Sequence, residues 1–248
     1  MKILNNFDLH NHSIASDGLL TSSALIALAV NNGCDALALT DHDTTAGLVE
    51  AQKAAENPVL AAGLNSIREG RTARAKLMGD DFARIGMHGM FEAAYEFAEN
   101  KSMIGRTHFA RALVARGAVN EVGKAFSRYL TPGRPGFVAH RWASLDDALA
   151  WIMAAGGVAV MAHPGRYKLQ KAEMTQLLGE FKDLGGRSIE VMTGSHSPPQ
   201  FREYALRAKE FGFLASRGAD YHGPGESHYE PGRVPLLPDD LTPVWSVL

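Results

Sequence analysis

Histidine and aspartate residues follow several short apolar segments of this chain. His10 and His12 end the first such segment, and side chains two positions apart in a strand point to the same side. The two imidazoles then face one point, where they can bind one metal ion. Similar donors follow other apolar segments, at Asp17, His42, His163, Asp220 and His222.

The combination of imidazole and carboxylate donors indicates the kind of metal and the chemistry. These donors suit Zn²⁺, Mn²⁺ or Fe²⁺, and several donor clusters at one edge of a sheet predict a multinuclear centre. Such a centre activates water and neutralises a phosphoryl group. A single His-x-His pair is also typical of surface or core histidines, but donors after four separate segments favour a metal site.

Strand-like and helix-like segments alternate along most of the chain. The predicted strands are residues 7–10, 36–40, 158–163, 188–192 and 213–216, and the clearest predicted helices are residues 21–32, 44–56, 171–184 and 199–211. This alternation is typical of βα units and a mainly parallel sheet. The metal-type donors then lie at the carboxyl ends of the strands, where α/β enzymes place their sites.

The middle of the chain has a different pattern. Residues 64–128 contain several helical segments in succession with weak strand signals, and residues 130–137 form a Pro/Gly-rich connector before a further predicted strand at residues 137–140. We therefore expect a barrel domain from residues 1–63 and 129–248, and a helical insertion domain from residues 64–128.

Composition limits the protein's class and its partners. A net charge of −2 excludes a global basic field for long nucleic acids, so any contact with nucleic acid is expected to be short and local. The sequence has no apolar run of about 18 residues and no export signal at its start, so we expect no membrane contact and a cytoplasmic location. Cys34 is the single cysteine, which excludes an intramolecular disulfide.

The motifs DLHNHSIASDG, ALTDHDT, AHPGRY and ASRGADYHGPGE resemble, in this order, those of the PHP (polymerase and histidinol phosphatase) family. The segments IGRTHFARALV and LTPGRPGFVAH resemble the branch with 3′,5′-nucleoside bisphosphate phosphatases and a 5′-to-3′ exoribonuclease. The resemblance implies an α/β fold, a distorted (β/α)7 PHP barrel with a helical insertion domain. It also implies two or three divalent metal ions, with Mn²⁺ expected and Zn²⁺, Fe²⁺ and Mg²⁺ as alternatives.

The resemblance further implies a role for each metal-type donor, and these seven residues are the predicted catalytic and metal-binding set. One metal ion would be held by His10, His12 and Asp220. Another would be held by Asp17, His42 and His222, and the remaining position would involve His163. Asp8 and Asp41 would orient the imidazoles, as metal-bound histidines usually require.

The sequence departs from the PHP pattern after the helix that ends at Glu56. PHP proteins continue there with a strand ending in Gly-x-Glu, whose glutamate bridges two metals, and then a strand with a ligand histidine. Here Asn57 follows directly, so a few tens of residues are missing. Either this sequence omits them or the chain is truly shorter. We favour omission, because losing two strands would leave unpaired edges and exposed core.

Omission predicts a chain break between Glu56 and Asn57, with Cα atoms farther apart than the roughly 3.8 Å of bonded neighbours. Glu190 is the one remaining strand-end glutamate that could replace the bridging residue, but a buried or supporting role is favoured for it. We also expect one flank of the barrel to be open.

Basic side chains are the predicted substrate-binding residues. An arginine fork matches two phosphate oxygens, although each arginine alone is equally well explained as a solvated charge. The resemblance supports Arg106, His108 and Arg134, and position in loops suggests Arg166 and His196. His88, His140 and His228 are predicted to be structural, and the tryptophans to pack, with base stacking as an alternative.

Three functions are compatible with the sequence. The favoured one is hydrolysis of the 3′-phosphate of nucleoside 3′,5′-bisphosphates, with trimming of short RNA 5′ ends as a related activity. The second is a PHP phosphatase for another small ester such as histidinol phosphate, and the third is a non-catalytic metal-binding scaffold. The arginines favour the first over the second, whereas only the missing glutamate favours the third. The sequence leaves the oligomeric state open.

Overall fold

Five short parallel strands carry the predicted donors. The computed structural model describes residues 6–44, 46–47, 58–140 and 142–248. Its strands are β1 (Phe7–Asp8), β2 (Ala36–Leu37), β3 (Val160–Met161), β4 (Ser188–Thr193) and β5 (Leu214–Gly218). Strand β1 pairs with β2, and β3, β4 and β5 form a second parallel sheet. Each of the five predicted strands overlaps an observed one, but the strand predicted at residues 137–140 is wrong, because those residues form no strand.

Backbone hydrogen bonds join the two small sheets where β1 runs beside β5. The Leu9 amide donates to the Arg217 carbonyl at 2.9 Å, and the Asp220 amide donates to the His10 carbonyl at 2.8 Å. Gly218 allows this approach, because a Cβ there would lie 2.4 Å from the Cβ of His10. The strand order is therefore β2, β1, β5, β4, β3, and His10 is brought beside Asp220.

The predicted closed (β/α)7 barrel is not confirmed. The described residues contain an α/β fold with two small sheets, and within them β2 and β3 pair with no further strand on their outer sides. The helix predicted at residues 44–56 lies almost entirely outside the described residues. The chain break predicted between Glu56 and Asn57 lies outside them as well.

Eight α-helices surround and extend the sheet in the described part of the chain. They are α1 (Ser22–Asn31), α2 (Pro58–Arg84), α3 (Met90–Glu96), α4 (Arg106–Ala115), α5 (Val122–Ala125), α6 (Leu145–Ala154), α7 (Lys171–Asp183) and α8 (Pro198–Phe211). The Thr21 hydroxyl caps α1 by accepting from the Ala24 amide, and the Ser144 hydroxyl caps α6 in the same way. None of these helices combines the length and hydropathy needed to cross a bilayer.

Two separate groups of buried apolar side chains stabilise the fold. One lies between the sheet and helices α1, α6, α7 and α8, with Leu25, Leu178 and Ile189 fully buried. The other lies among α2, α3, α4 and α5, with Phe82 and Phe109 stacked at 5.8 Å. The domain limits at residues 63 and 64 remain a prediction, and helix α2 continues across them without a break.

Candidate active site

Seven side chains converge at the carboxyl ends of the strands, and we call them the metal cluster: His10, His12, Asp17, His42, His163, Asp220 and His222. At its centre is a triangle of three atoms. His10 Nε2 lies 3.1 Å from His12 Nε2, and these nitrogens lie 3.3 and 3.4 Å from Asp220 Oδ1. Donors that are each about 2.1 Å from one ion are separated by about this much. The triangle therefore matches the predicted first metal position.

A second set of donors surrounds Asp17. Its Oδ1 atom lies 3.6 Å from His222 Nε2 and 3.8 Å from both His42 Nε2 and His12 Nδ1. His12 thus faces this set with one ring nitrogen and the triangle with the other. His163 joins His10 and Asp220, where one ligand atom from each lies within 4.8 Å of the others. The predicted residues come together, but His12 is shared and His163 is not isolated.

Strained backbone occurs at this cluster. His163, Asp220 and Asp43 have φ values of 32°, 53° and 48°, and they are the non-glycine residues with positive φ in the described chain. Each such residue costs about 1 kcal/mol or more and persists only where the surroundings hold it. The Asp220 amide is held by the His10 carbonyl, and the His163 amide by Glu190 Oε2 at 2.6 Å.

Glu190 bonds to two members of the metal cluster, His10 and His163. It is buried, and its Oε1 atom accepts a hydrogen bond from His10 Nδ1 at 2.7 Å. That bond directs His10 Nε2 toward the other two atoms of the triangle. A carboxylate bonded to the far nitrogen of a metal-binding histidine is the usual arrangement. Glu190 therefore has the supporting role that the sequence favoured, and both its oxygens are used within the protein.

The orienting roles predicted for Asp8 and Asp41 are wrong. Asp8 accepts from Asn11 Nδ2 and from the amides of Ala219 and Gly232, so it ties β1 to the chain after β5. Asp41 instead accepts from Ser13 and Ser16 in the loop that leads to Asp17. Within the described residues, neither carboxylate bonds to an imidazole. The pattern of strand ends could not show this, because each residue lies within two positions of a histidine in the sequence.

Unsatisfied ring nitrogens show that the cluster fits a cation. His12 Nδ1 and His163 Nδ1 are buried and have no hydrogen-bond partner in the described structure, which is uncommon for buried polar atoms. Burial lowers the pKa of His12 to about 4, so its ring is neutral at pH 7 and one of its nitrogens offers a lone pair. Although burial opposes ionisation of Asp17 and Asp220, the surrounding histidines hold the pKa of each carboxyl below its usual range.

His10 behaves differently from His12 although it is also buried. Burial favours the neutral ring, but the charges of Glu190 and Asp220 outweigh it and raise the pKa of His10 to about 9. A protonated His10 can donate to the facing atoms of the triangle. A metal ion would take the place of that proton, so binding would release it. These properties fit the divalent ions that the donor types suggest.

A cavity of about 370 Å³ opens beside Asp17 and His42, and we call it the arginine cavity. Arg71 and Arg74 reach it from helix α2, and Arg106 reaches it from the start of α4. Other lining residues are Ser16, Asp43, Met103, Gly105, Thr107, His108, Phe126 and Trp142. The cavity thus combines three guanidinium groups with two aromatic rings next to the metal cluster.

Only one of the three guanidinium groups is neutralised by a carboxylate in the described structure. Arg71 Nε donates to Asp43 Oδ2 at 2.7 Å, and its Nη2 contacts the same oxygen. Arg74 is 8% exposed, its Nε has no partner, and burial with the charges of Arg106 and Arg71 lowers its pKa to about 10. Burial and the charge of Arg166 lower the pKa of Arg106. This excess positive charge favours a bound anion.

His108 lies at the wall of the arginine cavity as a neutral ring. Its Nδ1 accepts a hydrogen bond from the Gly105 amide at 3.0 Å, at the start of α4. Burial lowers the pKa of His108 to about 4, so one nitrogen carries the single ring proton. Because Nδ1 accepts, the proton is on Nε2, and the ring offers one N–H donor.

The other predicted substrate residues lie elsewhere. Arg134 is on an exposed turn and is not part of the cavity wall, so it is not brought to the site. Arg166 is beside the cluster, with Nη1 3.6 Å from Asp220 Oδ2. Both nitrogens of His196 are engaged by backbone, with Nε2 accepting from Gly165 and Nδ1 bonded to Val191. His196 therefore fixes loops and has no free nitrogen for a substrate.

The predicted list missed Arg71 and Arg74, which stand in the helix-rich region where charged faces are common. Their spacing of three positions places both on one face of α2. Trp142, predicted to pack or stack, is half exposed, with Arg71 and Arg74 at 5.2 and 5.9 Å from its ring. A pair of arginines at helical spacing was the available signal, but nothing in the local pattern placed it beside Asp17.

Comparison with known proteins agrees with this geometry. The PHP domain profile matches residues 8–67, which contain four donors of the metal cluster. A 3′,5′-nucleoside bisphosphate phosphatase of Chromobacterium violaceum is 43% identical over 98% of this chain and 96% of its own length. The chain belongs to the PHP family. The predicted family is therefore confirmed.

Two further relatives extend the comparison. A 5′-3′ exoribonuclease of Haemophilus influenzae is 34% identical over 96% of this chain and 97% of its own length. The solved structure of an amidohydrolase from Chromobacterium violaceum, with bound sulfate and no metal, is 43% identical with a TM-score of 0.92. It covers 97% of this chain and 95% of that one. The phosphatase and the exoribonuclease both hydrolyse phosphate esters, in agreement with the predicted class.

The length of the alignment with the phosphatase bears on the segment that the motif pattern indicates as missing. The alignment with the phosphatase spans 274 positions, whereas this chain has 248 residues. At least 26 positions of the phosphatase therefore have no counterpart here. This deficit agrees with the few tens of residues that the motif pattern indicated.

Proposed function

We propose that this PHP protein is a metal-dependent phosphoesterase that hydrolyses the 3′-phosphate of nucleoside 3′,5′-bisphosphates and trims short RNA 5′ ends. The observation that carries the proposal is the shared wall of its two sites. Asp17 and His42 belong to the metal cluster and also line the arginine cavity. A substrate with two phosphates can therefore place one at the cluster and the other among the arginines.

The metal cluster supplies the chemical half of the proposal. Its seven donors would hold two or three divalent ions, which we propose to be Mn²⁺, since imidazole with carboxylate suits this ion. Such ions, when bound, activate water and offset the charge that develops on a phosphoryl group. Glu190 fixes the direction of His10, and the Asp41 contacts fix the loop that carries Asp17.

The arginine cavity supplies the recognition half. Arg74 and Arg106 have no carboxylate partner in the described structure, so an anionic group is needed to balance them. His108 adds one neutral N–H donor beside them. A phosphate offers several oxygens to these donors at once, and charge-assisted hydrogen bonds of this kind are strong. Trp142 and Phe126 add aromatic surface on which a base can stack.

The same cavity argues against the two alternative functions. Histidinol phosphate carries an ammonium group, which the two guanidinium groups without a carboxylate partner in the described structure, those of Arg74 and Arg106, would repel. A decayed scaffold would have lost the convergence of its donors, yet the seven predicted residues form two groups here, and within each group the ligand atoms lie within 4.8 Å of one another. We also propose that the full barrel closes between β2 and β3 through two further strands, for which 26 or more positions are long enough.

Phosphate release tests this proposal. The protein is loaded with Mn²⁺ and assayed with adenosine 3′,5′-bisphosphate, adenosine 5′-monophosphate and histidinol phosphate, and each assay is repeated after chelation. We expect phosphate release from the bisphosphate, loss of that activity after chelation, and rates at least tenfold lower for the other two substrates, because each engages only one of the two sites.

Equal rates on the bisphosphate and on histidinol phosphate would contradict the role of the arginine cavity. Full activity after chelation, with metal content measured at zero, would contradict the role of the metal cluster. The trimming activity is tested with a short RNA that carries a 5′-phosphate and with the same RNA that carries a 5′-hydroxyl. Both are assayed with the Mn²⁺-loaded protein and again after chelation.

A further inference from the structure

Helix α4 presents two side chains to the loop that carries Asp17. Thr107 Oγ1 donates to Asp17 Oδ2 at 3.1 Å, and Arg111 Nη2 donates to the Asp17 carbonyl at 2.7 Å. These two residues are four positions apart, so they lie on the same helix face. The helix therefore contacts both the carboxylate and the backbone of one member of the metal cluster.

Arg111 also reaches a second loop of the metal cluster. Its Nε and Nη2 atoms donate to the two carboxylate oxygens of Glu226 at 3.0 and 2.7 Å. Glu226 follows His222 by four positions, and the His222 amide is held by the hydroxyl of Ser227 at 2.8 Å. One buried guanidinium, 7% exposed, thus joins the loop of Asp17 to the loop of His222.

The first turn of the helix that carries Arg111 also lines the arginine cavity. Arg106 and His108 line the cavity from the first turn of α4, while Thr107 and Arg111 contact the metal cluster. An α-helix is stiff over this length, so the distance between the two sites is set by this helix. Asn100, which precedes α4, adds a third contact to the loop that carries Asp17, because its side chain donates to the Ala15 carbonyl at 3.1 Å.

From these contacts we infer that Arg111 is a positioning residue that holds Asp17 and His222 in place for metal binding and fixes them to the helix of the arginine cavity. The inference rests on the proposed function, which assigns divalent metal ions to the metal cluster. Arg111 bonds to the Asp17 carbonyl and to Glu226 in the loop after His222, and no hydrogen bond of the described structure joins it to Glu190 or His163. Its loss is therefore expected to affect the Asp17 position far more than the triangle of His10, His12 and Asp220.

The choice of variant matters because Glu226 is largely buried. Removal of the guanidinium would leave the Glu226 carboxylate without its partner, which destabilises the fold by itself. Arg111→Lys keeps the positive charge, but an ammonium cannot fork onto two carboxylate oxygens and a carbonyl in one plane. Thr107→Val and Thr107→Ser form a second pair, since serine keeps the hydroxyl that donates to Asp17 and valine removes it.

The test is calorimetric titration of Mn²⁺ into metal-free protein, without substrate. We expect Arg111→Lys and Thr107→Val to weaken one class of metal site about 10- to 100-fold and to leave the other class within about twofold. Thr107→Ser should bind as the unchanged protein does. Arg116→Lys is the matched control, because Arg116 directly follows the last residue of the same helix and bonds to the carbonyls of His88 and Gly89.

The melting temperature of the metal-free variants separates positioning from general damage. Selective loss of one metal class, with Arg111→Lys melting like Arg116→Lys, supports the inference. Unchanged Mn²⁺ binding by Arg111→Lys, or equal weakening of both classes, overturns it. If the unchanged protein binds no Mn²⁺, the metal cluster and hence the proposed function fail first, and the inference falls with them.

Discussion

The metal cluster and the arginine cavity share a wall but are built in different ways. The donors of the metal cluster stand at or shortly after the ends of parallel strands, and backbone hydrogen bonds set their separation. The arginines of the cavity come from two helices that belong to the second apolar core. Sheet geometry therefore fixes the metal cluster, whereas helix packing fixes the arginine cavity.

The two sites also differ in how their charges are balanced. In the metal cluster, carboxylates and imidazoles lie within 4 Å of one another, so opposite charges are available locally. In the arginine cavity, Asp43 pairs with Arg71, while Arg74 and Arg106 have no carboxylate in the described structure. The comparison indicates that the cluster needs a cation to satisfy its lone pairs and the cavity needs an anion. Three predictions, ordered from the largest expected effect to the smallest, test this difference.

The largest effect is expected in the metal cluster. His12→Ala should remove most bound metal and lower phosphate release at least about a hundredfold, because His12 faces both sets of donors. Metal content and initial rates on adenosine 3′,5′-bisphosphate provide the measurement. His88→Ala is the control, since this exposed histidine lies in the helical region. Full activity in the purified His12 variant would remove the basis of the metal assignment.

An intermediate effect is expected in the arginine cavity. Arg74→Ala or Arg106→Ala should raise KM for the bisphosphate about 10- to 100-fold, since a hydrogen bond to a charged group contributes about 1.5–3 kcal/mol. KM for an aryl phosphate should stay within about twofold, because that substrate has no second phosphate. Arg134→Ala, on an exposed turn, should leave both values unchanged. Equal losses on both substrates would show that the cavity serves the metal cluster instead.

The smallest effect is expected from the residue behind the cluster. Glu190→Gln should weaken Mn²⁺ binding about tenfold, because the amide is a poorer acceptor for the His10 Nδ1 proton. The fold should persist, since an amide oxygen can still accept from the His163 amide. Glu180→Gln, an exposed change on α7, is the matched control for calorimetry. Unchanged binding in the Glu190 variant would mean that the triangle orients His10 without it.

Much of the metal cluster could be predicted from the sequence because its signals are local. Strand geometry is enough to interpret the two-residue spacing of His10 and His12. It is also enough to interpret a histidine or aspartate that follows an apolar segment. The strands at residues 188–193 and 214–218 were predicted within two residues for the same reason. The closed barrel that the resemblance implied is not confirmed in the described residues, which form two small parallel sheets.

The supporting contacts of the site were decided by the tertiary structure alone. Asp8 and Asp41 have the residue type and position of imidazole partners, yet they bond to backbone amides and serines, and Glu190, 180 positions from His10, takes that role. The Arg111–Glu226 pair spans 115 positions and was not foreseen. A local pattern specifies which way a side chain points from its own element, whereas the distant element that it meets depends on packing of the whole chain. For this reason the sequence by itself determined the donors of the metal cluster. Only the tertiary structure determined the residues that support those donors and the position of the arginine cavity.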